Sequence, residues 1–474
     1  MSTYTVPFII GGEERLVENT FDVTSPDTGK VLHKCGIATE TESLSAVEAA
    51  VAAGRQWGIS SAAERRNIFL RAAEIMARRR EELATYMIDE VGAAPSWAEF
   101  NINTTIEMLK DVAGRVVAIE GSIPFCQSDI TALLVKEPYG VVLAIAPWNA
   151  PYILGTRSVL FPIAAGCTVV FKGSEMSPRT HRAVLSVLEE AGLPKGVVNY
   201  IITDLAHAPS VTETLISNPH IKKINFTGST AVGKIIAKIA GQNLKPVVLE
   251  LGGKAPAIVW EDADLDLAAE QCTFGAFFFS GQVCMSTERI IVHKKISEAF
   301  KEKLIAFIEN AFPSKGDALV LVNSKGVDKN KSLLKDAISK GAVLLSGDVD
   351  AAETSKTRLR PIVASKVTPG MDLYKQESFG PTVSLFEVET EEEALRIAND
   401  TEYGLASAVF TENLKTGLRF ARGIETGAVH INNMTIHDEA ALPHGGSKES
   451  GYGKFNALTG VEEWVRTKTI TWRN

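Results

Sequence analysis

From Gly140 onward the chain alternates short, almost wholly apolar runs with helical stretches, and few folds accommodate that rhythm. The runs are VVLAIA (141–146), TVVF (168–171), VVNYII (197–202), IKKINF (221–226) and VVLEL (247–251). Residues 178–191 and Ala231–Ala240 read as helices between them, and another helix precedes Ile221. Buried strands separated by helices predict βαβ units on a mostly parallel sheet. After Gly252-Gly253 the alternation restarts with PAIVW, a helix near 264–279, RIIVH and a helix near 296–310.

The first third differs. VPFII before Gly11-Gly12 reads as a strand, and Ser61-Ala-Ala-Glu64 as a capping box opening a helix with Ile68, Phe69, Ala72, Ile75 and Met76 on its apolar face. GSIPFCQSDITALLVKEPYG (121–140) reads as an extended, hairpin-type excursion. VRTKTITW (465–472) alternates like a terminal strand, and such a strand needs a partner that another subunit could supply.

Composition removes several function classes. The 474 residues suggest two or three domains, and 45% hydrophobic content supports sizeable cores. Net charge is −8 with no basic block, which argues against nucleic acid as a partner. The five cysteines are odd in number and show no C-x-x-C spacing, so no disulfide framework and no metal site are expected. The N-terminal MSTYTVPFIIGGEERL lacks a basic n-region, and no run approaches about 18 apolar residues. TWRN carries no lipidation or peroxisomal signal. The expectation is a cytoplasmic protein with no membrane partner.

Five short motifs could carry chemistry, and each has a plainer reading. Phe226-Thr-Gly-Ser-Thr-Ala-Val-Gly233 follows a strand and opens a helix, where backbone N–H groups can meet a phosphate; a tight turn explains it equally well. Lys172 and Glu175 in FKGSE could grip a ribose diol, the carboxylate repelling a 2′-phosphate, or could be a solvated loop pair. Asn149 in APWN could donate to a developing oxyanion, or could be a turn residue after proline. Glu250 before Leu-Gly-Gly-Lys254 could serve as general base, or simply end a strand. Cys284 differs from Cys167 and Cys272, which read as buried and inert, because Gly281, Gln282 and Ser286 keep its surroundings open. A thiolate there could be a covalent nucleophile or a structural thiol.

Together with QESFGP (376–381) and PHGGSKESGYG (443–453), these motifs in this order resemble the NAD(P)-dependent aldehyde dehydrogenase superfamily. The resemblance runs from about residue 7 to the end of the chain, with Glu250 thirty-four residues before Cys284. It implies an α/β fold with a Rossmann-like cofactor-binding domain (1–120 and 141–251). An α/β catalytic domain (252–445) and a small β oligomerisation element (121–140 and 460–474) would complete it, in a homodimer or homotetramer. It implies Cys284 as nucleophile, Asn149 and the Cys284 N–H as oxyanion donors and Glu250 as the base for water, with Lys172 beside this catalytic set. NAD is expected in preference to NADP. Lys172, Ser174 and Glu175 would lie at the adenosine ribose, Gly228, Ser229 and Gly233 at the pyrophosphate turn, and Glu377 and Phe379 at the nicotinamide, with Trp148 and Leu251 lining the same site.

Four features depart from the family pattern: Gly173 where proline is common, Ala150 after the oxyanion Asn, His444 where Phe is frequent, and a short stretch at 311–329. VGAAPSWAEFN (91–101), GQVCMSTER and HDEAALPHGGSKESGYG resemble the salicylaldehyde and vanillin dehydrogenase branch. That resemblance implies an aromatic aldehyde substrate in a pocket of Trp97, Phe100, Arg157, Phe278 and His444. Helix packing for Trp97 and Phe100, and a surface ion pair for Arg157, are the plainer readings. Other aldehydes, a CoA-acylating enzyme and a catalytically silent protein on the same fold are the competing functions.

Overall fold

The computed structural model describes residues 4–127 and 129–473. Met1–Thr3, Ser128 and Asn474, which the expected segments 1–120, 121–140 and 460–474 include, lie outside the described residues. The molecule is of the mixed α/β class and is built on two large sheets.

The first sheet has eight strands. Five parallel strands form its centre in the order Val247–Glu250, Ile221–Thr227, Val141–Ile145, Thr168–Lys172, Val198–Ile201. Phe8–Ile10 joins one edge antiparallel and carries Glu13–Arg15, while Gly451–Tyr452 closes the other edge from far along the chain. The first of these five along the chain, Val141–Ile145, lies at their centre. Its successors run to one side and then to the other, so strand order reverses beside it. The second sheet has seven strands, all parallel except Val343–Ser346 at one edge, with Thr382–Val388, Thr287–His293 and Ala255–Val259 at its centre.

Local chemistry explains the helices that flank the first sheet. Ser61 Oγ accepts from Glu64 N at 3.1 Å and starts the helix Ala62–Arg78, whose Ile68, Phe69, Ala72, Ile75 and Met76 are all buried. The reciprocal capping bond expected there forms instead at Thr39, whose N–H donates to Glu42 before Glu40–Trp57. Glu90 is a buried carboxylate that accepts from the N–H groups of Arg179 and Thr180, both at 2.8 Å, and so caps Pro178–Glu190.

Two expectations shift. The helix expected to reach residue 279 stops at Phe277, because Phe279 and Ser280 take left-handed backbone angles that no helix continues. The excursion at 121–140 folds back on itself through the Ser122–Leu134 bridge. Its strand Ile130–Pro138 pairs antiparallel with Val465–Arg473 of the same chain, from Pro138 opposite Val465 to Ile130 opposite Arg473. The terminal strand therefore finds its first partner within its own chain. No helix among the described residues is long and apolar enough to cross a membrane.

Candidate active site

Four sequence motifs meet at the carboxyl edge of the first sheet. Ile145 stands opposite both Lys172 and Phe226, and Thr227 opposite Glu250. The segments leaving these strands are Pro147-Trp148-Asn149, Lys172-Gly173-Ser174-Glu175, Gly228-Ser229 and Leu251-Gly252. The cleft between them opens where strand order reverses, the usual ligand position in an open α/β sheet. Trp148, Asn149, Gly228, Ser229, Glu250, Leu251, Cys284, Glu377 and Phe379 all line it, and it encloses about 260 Å³. Lys329 also reaches it.

Cys284 rides on a strained turn. Phe279, Ser280 and Gly281 have φ of 46°, 59° and 70° in succession. Such angles cost a side-chain-bearing residue about 1–3 kcal/mol each and persist only where neighbours enforce them. The enforcing contacts come from the short 311–329 stretch. Ser280 Oγ donates to Val320 O at 2.8 Å, Gln282 Nε2 donates to the same oxygen at 3.3 Å, and Gln282 Oε1 accepts from Val322 N at 2.9 Å. Gln282 O accepts from Asn149 Nδ2 at 3.0 Å, leaving the second amide hydrogen of Asn149 for a ligand. A Cβ on Gly281 would lie 2.2 Å from Gly380 O, and one on Gly253 would lie 2.1 Å from Cys284 O. Only glycine fits either place.

The thiol and the carboxylate meet. Cys284 Sγ lies 3.8 Å from Glu250 Oε1. Burial pushes the thiol pKa well up, Glu250 and Glu377 add to this, and Arg157 opposes it. At rest the sulfur holds its proton. Glu250 is 1% exposed. Burial alone would raise its pKa, but His444 and Arg157 outweigh that and hold it below the ordinary carboxylate range. His444 Nε2 is 2.9 Å from Oε1 and Arg157 Nη1 is 3.5 Å from Oε2, yet among the described residues Oε2 accepts no hydrogen bond. The other arm of Arg157 pairs with buried Asp438, which accepts from Asn456 Nδ2 at 2.8 Å. A carboxylate with one oxygen tethered and the other unbonded, beside a thiol, can accept a proton from that thiol or from water.

The cofactor side tests well against a dinucleotide. Lys172 is buried, and burial lowers its pKa against an opposing pull from Glu175, so it stands as a cation that ribose hydroxyl oxygens could pair. Ser174 N donates to His181 Nδ1 at 3.1 Å, and burial lowers the His181 pKa to about 3, so it stays a neutral acceptor. Ser229 Oγ caps Thr230–Gln242, whose N-terminus faces the cleft as an anion site. A Cβ on Gly233 would come 2.5 Å from Leu251 Cδ2, so glycine seats that helix on the strand end. Glu377 accepts from Gly253 N at 2.8 Å, and burial with the nearby Glu288 charge raises its pKa to about 7. Phe379, at φ 50°, packs edge-on against Trp148 with ring centres 5.9 Å apart.

The expected substrate residues divide. Trp97 is 1% exposed, stacked between Phe100 and Phe279 with its edge to Phe278, and its Nε1 donates to Asn149 O at 2.9 Å. It backs the wall and holds Asn149 rather than lining open space. Phe100 and Phe278 are half-buried, and Phe100 lines a second, more open cleft of about 690 Å³ with Asp438, Glu439, Ala440 and Ala441. Arg157 and His444 are buried against Glu250 rather than exposed in that cleft.

Sequence reasoning missed three supports. Glu288 accepts from Ser378 N at 2.8 Å and Phe379 N at 3.2 Å and pairs with buried Lys254, which fixes the Glu377–Phe379 turn. Gln282 and Asp438 stood inside quoted motifs but had no partner in sequence, because their partners lie 40 and 281 residues away. Residue type offered one signal: Glu288 and Asp438 lie inside quoted motifs, and a carboxylate that such a motif buries needs a cation.

Comparison with known proteins agrees with this geometry. The model of the aldehyde dehydrogenase family matches residues 14–470. A vanillin dehydrogenase of Pseudomonas sp. (strain HR199 / DSM 7063) is 42% identical, with 99% of this chain and 98% of that protein covered. A salicylaldehyde dehydrogenase of Pseudomonas sp. (strain C18) is 38% identical over 96% and 95%. The crystal structure of a salicylaldehyde dehydrogenase from Pseudomonas putida G7 complexed with salicylaldehyde superposes with a TM-score of 0.94 at 36% identity, over 99% and 98% of the two chains. This chain belongs to the aldehyde dehydrogenase family and is an aldehyde-oxidising oxidoreductase.

Proposed function

We propose that the protein oxidises an aromatic aldehyde to its carboxylic acid with NAD as acceptor, by acyl transfer through Cys284. The observation that carries this reading is the 3.8 Å approach of Cys284 Sγ to Glu250 Oε1 at the floor of a cleft shared with Asn149, Glu377 and Phe379. Glu250 takes the thiol proton and Sγ adds to the aldehyde carbon. The oxyanion formed takes hydrogen bonds from the second Asn149 N–H and the Cys284 backbone N–H. A nicotinamide bound along Glu377 and Phe379 supplies the hydride acceptor. Glu250 passes the thiol proton to solvent and, ionised again, accepts a proton from water through its unbonded Oε2; the hydroxide attacks the acyl carbon, and Sγ departs as the acid is released.

Glu175 beside Lys172 supports NAD over NADP, since a carboxylate repels a 2′-phosphate. The relatives named for vanillin and salicylaldehyde, and the Phe100–Phe278 wall, support a flat ring, each ring contact contributing about 0.5–1.5 kcal/mol. The first sheet serves as cofactor-binding domain, the second as catalytic domain, and the paired strands Ile130–Pro138 and Val465–Arg473 as the contact with a second copy. Free cysteines at Cys35, Cys126, Cys167, Cys272 and Cys284 suit a reducing, cytoplasmic setting. Steady-state assays with benzaldehyde, salicylaldehyde, vanillin and propanal, each with NAD and NADP, test the assignment. A kcat/KM for propanal above that of every aromatic aldehyde would overturn the substrate class, and equal use of NADP would overturn the role of Glu175.

A further inference from the structure

His444 occupies a position the family usually gives to an apolar ring, and it spends its imidazole on the base. Its Nε2 lies 2.9 Å from Glu250 Oε1, and both side chains are buried. An ionised carboxylate only accepts, so Nε2 carries the proton and donates. The backbone that carries the ring is fixed: His444 N donates to Phe455 O at 2.9 Å and Phe455 N donates to His444 O at 2.8 Å. Oε2, on the far side, faces Arg157 at 3.5 Å and among the described residues accepts no hydrogen bond. One carboxylate oxygen is therefore fixed and the other left for a ligand.

We propose that His444 is a positioning residue for Glu250, holding its carboxylate ionised with Oε2 turned to the attacking water and so setting the acid limit of thioester hydrolysis. The proposal rests on the acyl-transfer reading above. In the step concerned, a water O–H bond breaks and its proton passes to Glu250 Oε2. The hydroxide adds to the acyl carbon, the C–S bond breaks, and the electron pair stays on Sγ. The groups that face His444 are Glu250 from the Val247–Glu250 strand, Asp438 from its loop and His430 from the Ala428–Ile431 strand. Arg157, from the helix Pro151–Ala164, faces Glu250 and Asp438 from the other side. Removing the imidazole leaves Arg157 alone to offset the burial of Glu250, so the carboxylate keeps its proton to higher pH.

An activated ester, p-nitrophenyl acetate, acylates a nucleophilic sulfur without any redox step. The burst of nitrophenolate reads acylation and the following steady rate reads hydrolysis, both without cofactor. Wild type, His444→Phe and His444→Gln are compared between about pH 5 and 9. In His444→Phe the acid limb of the hydrolytic rate should move up by about one pH unit or more, a loss of about tenfold near the acid end, with the burst retained. His444→Gln keeps a donor to Oε1 and should shift less. If His444→Phe does not fold, a limb shift in His444→Gln alone supports the proposal. A uniform loss at every pH, or an unmoved limb, makes His444 a packing residue and overturns it. A burst that survives Cys284→Ala overturns acyl transfer at Cys284 itself and the proposal with it, a failure distinguishable from the others.

Discussion

At the scale of single residues, the site separates what a side chain is from what its neighbours make of it. Cys284→Ala should abolish aldehyde oxidation while NAD binding, followed by quenching of protein fluorescence, persists. Glu250→Gln should give a burst of NADH followed by hydrolysis slowed about 10²–10⁴-fold, read by stopped flow. Glu377 makes a pH prediction. Its pKa of about 7 lies above the ordinary glutamate value, so the folded protein binds that proton more tightly than the unfolded chain does. Stability is therefore lost as pH rises from the ordinary range through about 7. Glu377→Gln, which still offers Gly253 N an acceptor, should melt like wild type near pH 5 and above it near pH 8 by calorimetry. Cys284, Glu250 and Asn149 were legible in sequence because their residue types and motif order carry the resemblance. The work of Arg157 was not, because its partner Asp438 lies 281 residues away and only folding brings the two together.

Elements carry the next level of constraint. The turn bearing Cys284 is fixed by Gln282 and Ser280 against the strand at Leu319–Val320, so the short 311–329 stretch, which sequence marks only as a departure in length, braces the Cys284 thiol. Gly253→Ala would drive a Cβ into the Cys284 carbonyl oxygen. Displacement of a reacting atom by about 1 Å costs on the order of 10²-fold, so kcat should fall by at least that much, with NAD affinity as a control. The parallel strands from Val141 to Glu250 were plain in the alternation of apolar runs. The end of the helix at Phe277 was not, because phenylalanine and serine give no warning of left-handed angles that packing imposes.

For the whole molecule, the paired strands Ile130–Pro138 and Val465–Arg473 stand apart from both sheets and carry exposed Ile470 and Trp472, with exposed Ile123 and Phe125 nearby. An apolar ribbon of this kind marks a contact surface. Ile470→Lys with Trp472→Lys should shift the species seen by light scattering toward the monomer. The terminal strand was legible from alternation in VRTKTITW, but its association with the excursion at 121–140 came only from the family resemblance, since strand partnership over that separation leaves no local mark. The glycines at 253 and 281 have a practical consequence. Each excludes any side chain because another loop's backbone oxygen already fills the space, so the geometry of attack is shielded from drift in the surrounding walls. Attempts to redirect this catalyst toward bulkier aldehydes should randomise Phe100, Phe278 and Ala440 and leave those two positions untouched.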